Sequence, residues 1–507
     1  MKGPGIAQRV AAIAGCIFLV TAPLGDARSE NPGGGSALQQ LAEQARIAEV
    51  LSSLNDRPMP EISILRNVRV VDPVEGAVTP PQSIVVSNGA IFWIGDRGSE
   101  PSFEGAAIIE GDGRYAAPGL TDMHVHSESA SSWLLNLANG VTTVREMGGL
   151  PWLLASREAI AADRIAGPNL YVAGTIINYV PLGGYAAVVK DAVTARRVVR
   201  QQVACGYDFI KIHNVLPGPL LDAVADEAAR QGIDLVGHVP HGVPVRHAVE
   251  RGMRTLEHFK GFLDDRTLEI GDTDYAAANN AELWVTPTLY AFRYFERDDV
   301  PSLLRSPPAR YVPQRTRRSW VSGLPKQGSA SDTLAESLPG RMRQIVQSLV
   351  AHDAQFLAGT DAANYPFQVM GFALLDEMRL LAEAGVPWSE VLRSATSSPA
   401  AAMRTKQFGR LRPGTRADIV LLDRNPLADR TAYERNQGVM VRGRWLDRAL
   451  LDRALAQLAD LFEQPPLSDQ PDRQQITALV GKVAEKSGEG FVFNSRTVLA
   501  AADQVRQ

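Results

Sequence analysis

Leu120-Thr121-Asp122-Met123-His124-Val125-His126 is the stretch on which the reading of this chain turns. A short apolar run, introduced by Ala117-Pro118-Gly119, ends in a His-x-His pair. Residues two apart on a strand point to the same side, so His124 and His126 aim two imidazoles at one point at the end of a buried strand. Neutral imidazole is a common ligand for zinc and related metals. The pair suggests a metal site on a barrel rim, and with it hydrolytic chemistry. Two nearby histidines alone read equally well as surface or core residues, so the case depends on what ends the later strands.

From Leu120 onward a strand-then-helix rhythm repeats. Candidate strands are Leu120–Met123, Thr142–Arg145, Asn169–Gly174, Phe209–His213, Leu235–His238, Thr255–His258, Trp284–Pro287 and Gln355–Ala358. This alternation over 119–403 predicts an α/β fold of the (β/α)8, TIM-type barrel class. A doubly wound open sheet is disfavoured, because no Gly-x-Gly-x-x-Gly follows an early strand. The Arg- and Pro-rich stretch at about 290–343 reads as an insertion near the active-site mouth, or equally as a solvated excursion.

Short strand-like runs precede the barrel at Ile62–Val71, Ser83–Val86, Ala90–Ile94 and Ala106–Glu110, with turn residues between them. The β pattern returns past Met403, with a buried strand at Ala417–Asp423 and a hairpin at Val439–Leu446. Segments 61–118 and 404–448 are therefore expected to build one discontinuous small β-sandwich domain. A linker and an N-terminal helix (Leu38–Leu54) fill 28–60, and a helix over Leu450–Phe462 opens a C-terminal extension, 449–507.

The chain has 507 residues, 45% hydrophobic and 21% charged, enough for a large core. A net charge of −4 gives no electrostatic case for nucleic acid. Residues 1–27 read as an export signal: Lys2 and Arg9, an apolar run from Val10 to Ala22, then small residues at Gly25-Asp26-Ala27. A bacterial periplasm is the expected home, with no stable membrane span after signal removal. Ile13-Ala14-Gly15-Cys16 resembles a lipobox, but few apolar residues precede Cys16 and the run continues past it, so a lipoprotein is the second reading. With the signal gone, Cys205 would stand alone, excluding a disulfide scaffold and a Cys-ligated zinc site. Assembly into a homo-oligomer is left open.

Active sites of (β/α)8 barrels lie at the C-terminal ends of the strands. Here those ends carry His124 and His126, Lys211, His238, His258 and Asp361. Singly, each histidine reads as a hydrogen-bonded loop residue and Lys211 as a surface charge. Jointly they fall on strands one, four, five, six and eight, and a lysine facing the inside of a barrel is costly unless paired or modified.

At this point the chain resembles the amidohydrolase superfamily, in particular its imidazolonepropionase-like and Xaa-Pro dipeptidase-like branch. The resemblance runs from about Ile62 to Leu446. It is carried by Ala117–His126, Thr142-Thr143-Val144-Arg145, Ile210-Lys211-Ile212, Leu256-Glu257-His258, Ala358-Gly359-Thr360-Asp361 and Pro413–Val420.

The resemblance implies two divalent metal ions, zinc above all. His124, His126 and Asp361 would hold one, His238 and His258 the other, and Lys211, carboxylated by carbon dioxide, would bridge both. A bridging hydroxide would attack the substrate carbonyl, with Asp361 as proton shuttle.

Where relatives show other residues, this chain has Tyr185 after Gly183-Gly184, His241 after His238-Val239-Pro240, and Arg145-Glu146. Tyr185 is a candidate to bind substrate or its tetrahedral intermediate. His241 is a candidate for substrate or for capping a turn. Arg145 is a candidate for pairing with a substrate carboxylate or for tying loops together. Arg293, Arg297, Arg315, Arg317 and Arg318 of the insertion offer cations for a C-terminal carboxylate.

The expected activity is that of an exported binuclear amidohydrolase cleaving a small-molecule amide, a dipeptide or an N-acyl amino acid. A cyclic amide (imidazolone-type) or lactone hydrolase with the same metals is the alternative. A non-catalytic barrel that only binds is the remote one, and it predicts a broken ligand set.

Overall fold

The computed structural model describes residues 37–463, apart from 57, 128, 183–184, 265–268, 281, 293–301, 303–304, 323–329 and 365. The export signal, Cys16, most of the linker, Arg293, Arg297 and the extension beyond 463 lie outside the described residues.

The first strands are β1 (Ile62–Asp72), β2 (Ala77–Ser87), β3 (Ala90–Asp96), β4 (Ala107–Glu110) and β5 (Tyr115–Pro118). The sequence pattern missed β5, whose four residues are too few to show alternation. After Gly119 come β6 (Leu120–Val125), β7 (Val141–Glu146), β8 (Asn169–Val172), β9 (Ile176–Asn178) and β10 (Ala186–Val188). They are followed by β11 (Phe209–Ile212), β12 (Asp234–Gly237), β13 (Met253–Glu257) and β14 (Trp284–Thr286). Last are β15 (Ile419–Leu422), β16 (Asn436–Val441) and β17 (Arg444–Asp447).

Two sheets are wholly parallel: β6-β7-β8, and β10-β9-β11-β12-β13-β14. β6, β7, β11 and β13 are buried at every residue, as strands covered on both faces must be. Helices lie between them. Ala192–Cys205 starts where the Asp191 side chain accepts the Thr194 N–H, and ends at Gly206 in the left-handed region.

Single bridges join Ala173 to Phe209, Val285 to Phe356, and Val125 to Ala362. The eighth expected strand, Gln355–Ala358, forms no ladder. Its backbone bonds to Val285 on one side, and Ala358 O accepts the Met123 N–H on the other. The short β9 and β10, invisible in the sequence rhythm, sit at the β11 edge.

The strands before and after this region share one eight-stranded sheet, ordered β17-β16-β15-β5-β1-β2-β3 with β4 on β1. The strands expected to build a sandwich share one continuous hydrogen-bonded sheet. Leu65, Ile84, Ala116, Ile419 and Met440 form its own apolar cluster.

The N-terminal helix Ala37–Ser53 and the closing helix Arg448–Glu463 pack on each other. The described part of the insertion is tied to them. Arg315 makes a bidentate pair with Glu43, and Arg317 pairs with Glu463. Both guanidinium groups are therefore bound to protein carboxylates, not presented to a substrate. No helix among the described residues is long and apolar enough to cross a membrane.

Candidate metal centre

β6 delivers His124 and His126, with ring centroids 5.3 Å apart. His124 is fully buried and His126 half-buried. β11 delivers Lys211, whose Nζ lies 3.3 Å from His124 Nε2. His238 follows β12 directly. Gly237 precedes it at φ 122°, and a Cβ there would stand 2.3 Å from Ile212 O, so only glycine lets β12 lie this close to β11. His258 follows β13, its ring 4.4 Å from that of His124 and 4.9 Å from that of His238. Asp361 arrives after the bridged segment 356–360. Its Oδ1 is 3.1 Å from His126 Nε2 and 3.4 Å from His124 Nε2, and its Oδ2 is 4.0 Å from His258 Nε2. All six residues expected to converge do so.

Each of three rings is turned by a partner on Nδ1. Glu257 Oε2 lies 2.7 Å from His124 Nδ1. Asn214 Oδ1 faces His238 Nδ1. The Thr288 hydroxyl lies 2.6 Å from His258 Nδ1. None of these partners was singled out from the sequence. Glu257 left one signal: strand alternation puts it on the same face as Thr255, where a glutamate needs a reason to point inward.

Burial brings the His124 pKa down to about 4, helped by the Lys211 charge. Burial also takes His238 and His258 well below the usual histidine range, so all three rings are neutral at neutral pH. Burial works against ionisation of Asp361, but His258, His126 and His124 outweigh it and hold the carboxylate below its usual range. Burial brings Lys211 down to about 8, opposed by Asp361 and Glu257.

Neutral imidazoles beside an ionised carboxylate are the donor set of a divalent cation. His124, His258 and Asp361 offer ligand atoms within 4.8 Å of one another. His238 Nε2 is buried and has no hydrogen-bond partner among the described residues. A metal ion would satisfy that atom, so the residues fit the group.

The three substrate candidates fall differently. Tyr185 is half-buried beside His126: a Cβ on Gly148 would meet His126 Nδ1 at 3.2 Å and the Tyr185 ring at 3.7 Å. The preceding Gly183-Gly184 lies outside the described residues. His241 is half-buried in a turn closed by Val243 N–H to Pro240 O, and its own N–H donates to Asn214 O. Arg145 is buried, donating to Met123 O at 2.6 Å, Thr255 Oγ1 at 3.1 Å and Glu257 Oε1 at 2.7 Å. Of its two readings, only the one that ties elements together matches this placement. Arg318 of the insertion is exposed.

The sequence model of the amidohydrolase family matches residues 115–446. Imidazolonepropionase of Streptomyces griseus is 23% identical over 384 residues, covering 69% of this chain and 89% of that protein. Adenine deaminase 3 of Rhizobium meliloti is 32% identical over 78 residues, and the chain spans only 13% of its length. Among solved structures, a bottromycin amidohydrolase is similar with a TM-score of 0.69 at 26% identity, covering 84% of this chain and 97% of its own. A putative prolidase from Bifidobacterium longum is similar with a TM-score of 0.62 at 23% identity, covering 84% and 100%.

Proposed function

This chain belongs to the amidohydrolase family, and from that premise we propose that it is a metal-dependent hydrolase of an amide C–N bond in a dipeptide or N-acyl amino acid. One observation carries the reading: the Nδ1 atoms of three neutral imidazoles are held by Glu257, Asn214 and Thr288, and the fully buried His238 Nε2 has no partner among the described residues.

His124, His126 and Asp361 would hold one divalent ion, and His238 and His258 a second, with Lys211 shared between them. When bound, such ions activate water and polarise a carbonyl. A lysine near pKa 8 keeps a neutral fraction at neutral pH. Its neutral amine adds to carbon dioxide and releases one proton, and the resulting carbamate is an anionic oxygen ligand in place of a repelling ammonium.

Asp361 is ionised and buried, with one oxygen toward His126. It is the group able to accept the proton of the attacking water. The same proton then passes to the leaving nitrogen as the C–N bond breaks. Tyr185, close to His126, would border the substrate, while His241 sits in the turn after His238. The resemblance to the bottromycin amidohydrolase and to prolidase structures supports amide cleavage. A cyclic amide substrate is the second reading, favoured by similarity to imidazolonepropionase over most of both chains.

The same reading extends to architecture and location. The two parallel sheets and the bridges at Ala173, Val285 and Val125 support arcs of one (β/α)8 barrel. The composite eight-stranded sheet supports a small β domain built from 61–118 and 404–448. The N-terminal pattern of residues 1–27 supports export to a periplasm.

Metal content of the purified protein, measured beside hydrolysis of dipeptides, N-acyl amino acids, cyclic amides and lactones, tests the proposal. Metal in the protein with chelator-sensitive amide cleavage is expected. Protein that takes up no metal after incubation with zinc and bicarbonate overturns it.

A further inference from the structure

We propose that Glu257, braced by Arg145 and Thr255, is a positioning residue that fixes the proton of His124 on Nδ1 and so turns the Nε2 lone pair toward the centre. The inference deepens the metal-centre reading and rests on it.

Glu257 is fully buried on β13, the residue before His258. A buried carboxylate is costly unless it is paired and hydrogen-bonded. Glu257 is both. Arg145 Nη2 donates to Oε1 at 2.7 Å, the Thr255 hydroxyl donates to the same oxygen, and Oε2 faces His124 Nδ1 at 2.7 Å. Arg145 is itself anchored, through Nε to Met123 O, one residue before His124. The guanidinium thus fastens the carboxylate to the strand that bears the histidine.

The proton assignment follows from donor and acceptor counting. An ionised carboxylate only accepts, so His124 Nδ1 must carry the proton. In the metal-free chain the unmodified Lys211 donates from Nζ, 3.3 Å from His124 Nε2, which leaves Nε2 as the acceptor. Both neighbours demand the same tautomer. A carboxylate on the second nitrogen of a ligating histidine is a recurring arrangement that fixes ring orientation and raises basicity.

Glu257→Gln is the sharp test because it keeps shape. Arg145 and Thr255 are donors, so the amide oxygen must face them. The amide NH2 then faces His124 Nδ1, which has to accept. Lys211 still faces Nε2, so no single tautomer satisfies both neighbours and the Nδ1–H form is no longer fixed.

The experiment uses the full chain stripped of metal. Zinc affinity is measured by competition with a chromophoric chelator, and the histidine tautomers by 15N spectra, with the His124 signal assigned by its loss in His124→Asn. We expect wild-type His124 as Nδ1–H. In Glu257→Gln we expect loss of the single Nδ1–H form and zinc affinity lower by about 10–100-fold, with a lower melting temperature because Arg145 is left as an uncompensated buried charge. Wild-type His124 found as Nε2–H overturns the proposal even if the variant does not fold, and so does wild-type zinc affinity in a folded Glu257→Gln. Wild-type protein that binds no zinc sinks the metal reading instead, a different result from either.

Discussion

Thr288 places its hydroxyl 2.6 Å from His258 Nδ1 while its own backbone sits in the left-handed region, at φ 53°. A β-branched residue rarely adopts that conformation without compensation. The compensation comes from Glu377 on the helix Phe372–Glu383. Its carboxyl accepts the Tyr290 N–H at 2.7 Å and also bonds the Leu289 and Thr288 N–H groups. A chain of contacts thus runs from a remote acid through a strained backbone to a candidate metal ligand.

Thr288→Val keeps the branched shape and removes the hydroxyl. We expect its zinc affinity to fall by about 10–100-fold. Thr288→Ser keeps the hydroxyl and should stay near wild type. Competition titration of both variants checks this. Equal losses in the two would assign the effect to shape and not to the hydrogen bond.

Glu377 makes stability depend on pH. Burial pushes its pKa up to about 8 in the fold, against 4.5 unperturbed. Between those values the folded chain holds a proton that the unfolded chain has lost. Stability therefore falls as pH rises through this window. Glu377→Gln cannot ionise, so it lacks that fall and should exceed wild type on the alkaline side by an amount on the order of a few kcal/mol. Urea midpoints at about pH 5 and about pH 9 measure it. A gap between variant and wild type that is the same at both pH values would refute the assignment.

Asp361→Asn should lower turnover by at least about 10²-fold while the protein stays folded. The measurement is kcat beside a circular-dichroism melt. Activity near wild type would remove Asp361 from proton transfer.

Arg315→Ala should leave KM for any dipeptide unchanged, because the guanidinium is already bound to Glu43. The half-exposed pair is worth at most about 1 kcal/mol, so melting should shift by only a few degrees. A large rise in KM would return Arg315 to the substrate.

The convergence of the candidate ligands was legible because strands impose a period of two. His124 and His126, and Lys211 between Ile210 and Ile212, declare their side from spacing alone. Asp361 was found through the Ala-Gly-Thr-Asp resemblance, although its segment makes only bridges. The braces were not legible for different reasons. Thr288 works through a backbone angle that no residue type announces. Asn214 works through its reach to a histidine on the next strand. The arginines of the insertion showed their charge but not their partners, since Glu43 lies 272 residues from Arg315. β5, four residues long, is too short to show alternation and is recognised only by what pairs with it.

That pairing has a consequence for how the chain is made. A single residue, Gly119, separates β5 from the strand that leads into His124 and His126, and β5 pairs along its other edge with Ile419–Leu422. A ribosome emits β5 long before it emits β15. Until then the nascent chain presents an unsatisfied strand edge immediately beside the future site, an edge open to wrong partners. A truncation before residue 419 removes that partner, and insoluble product is its expected outcome.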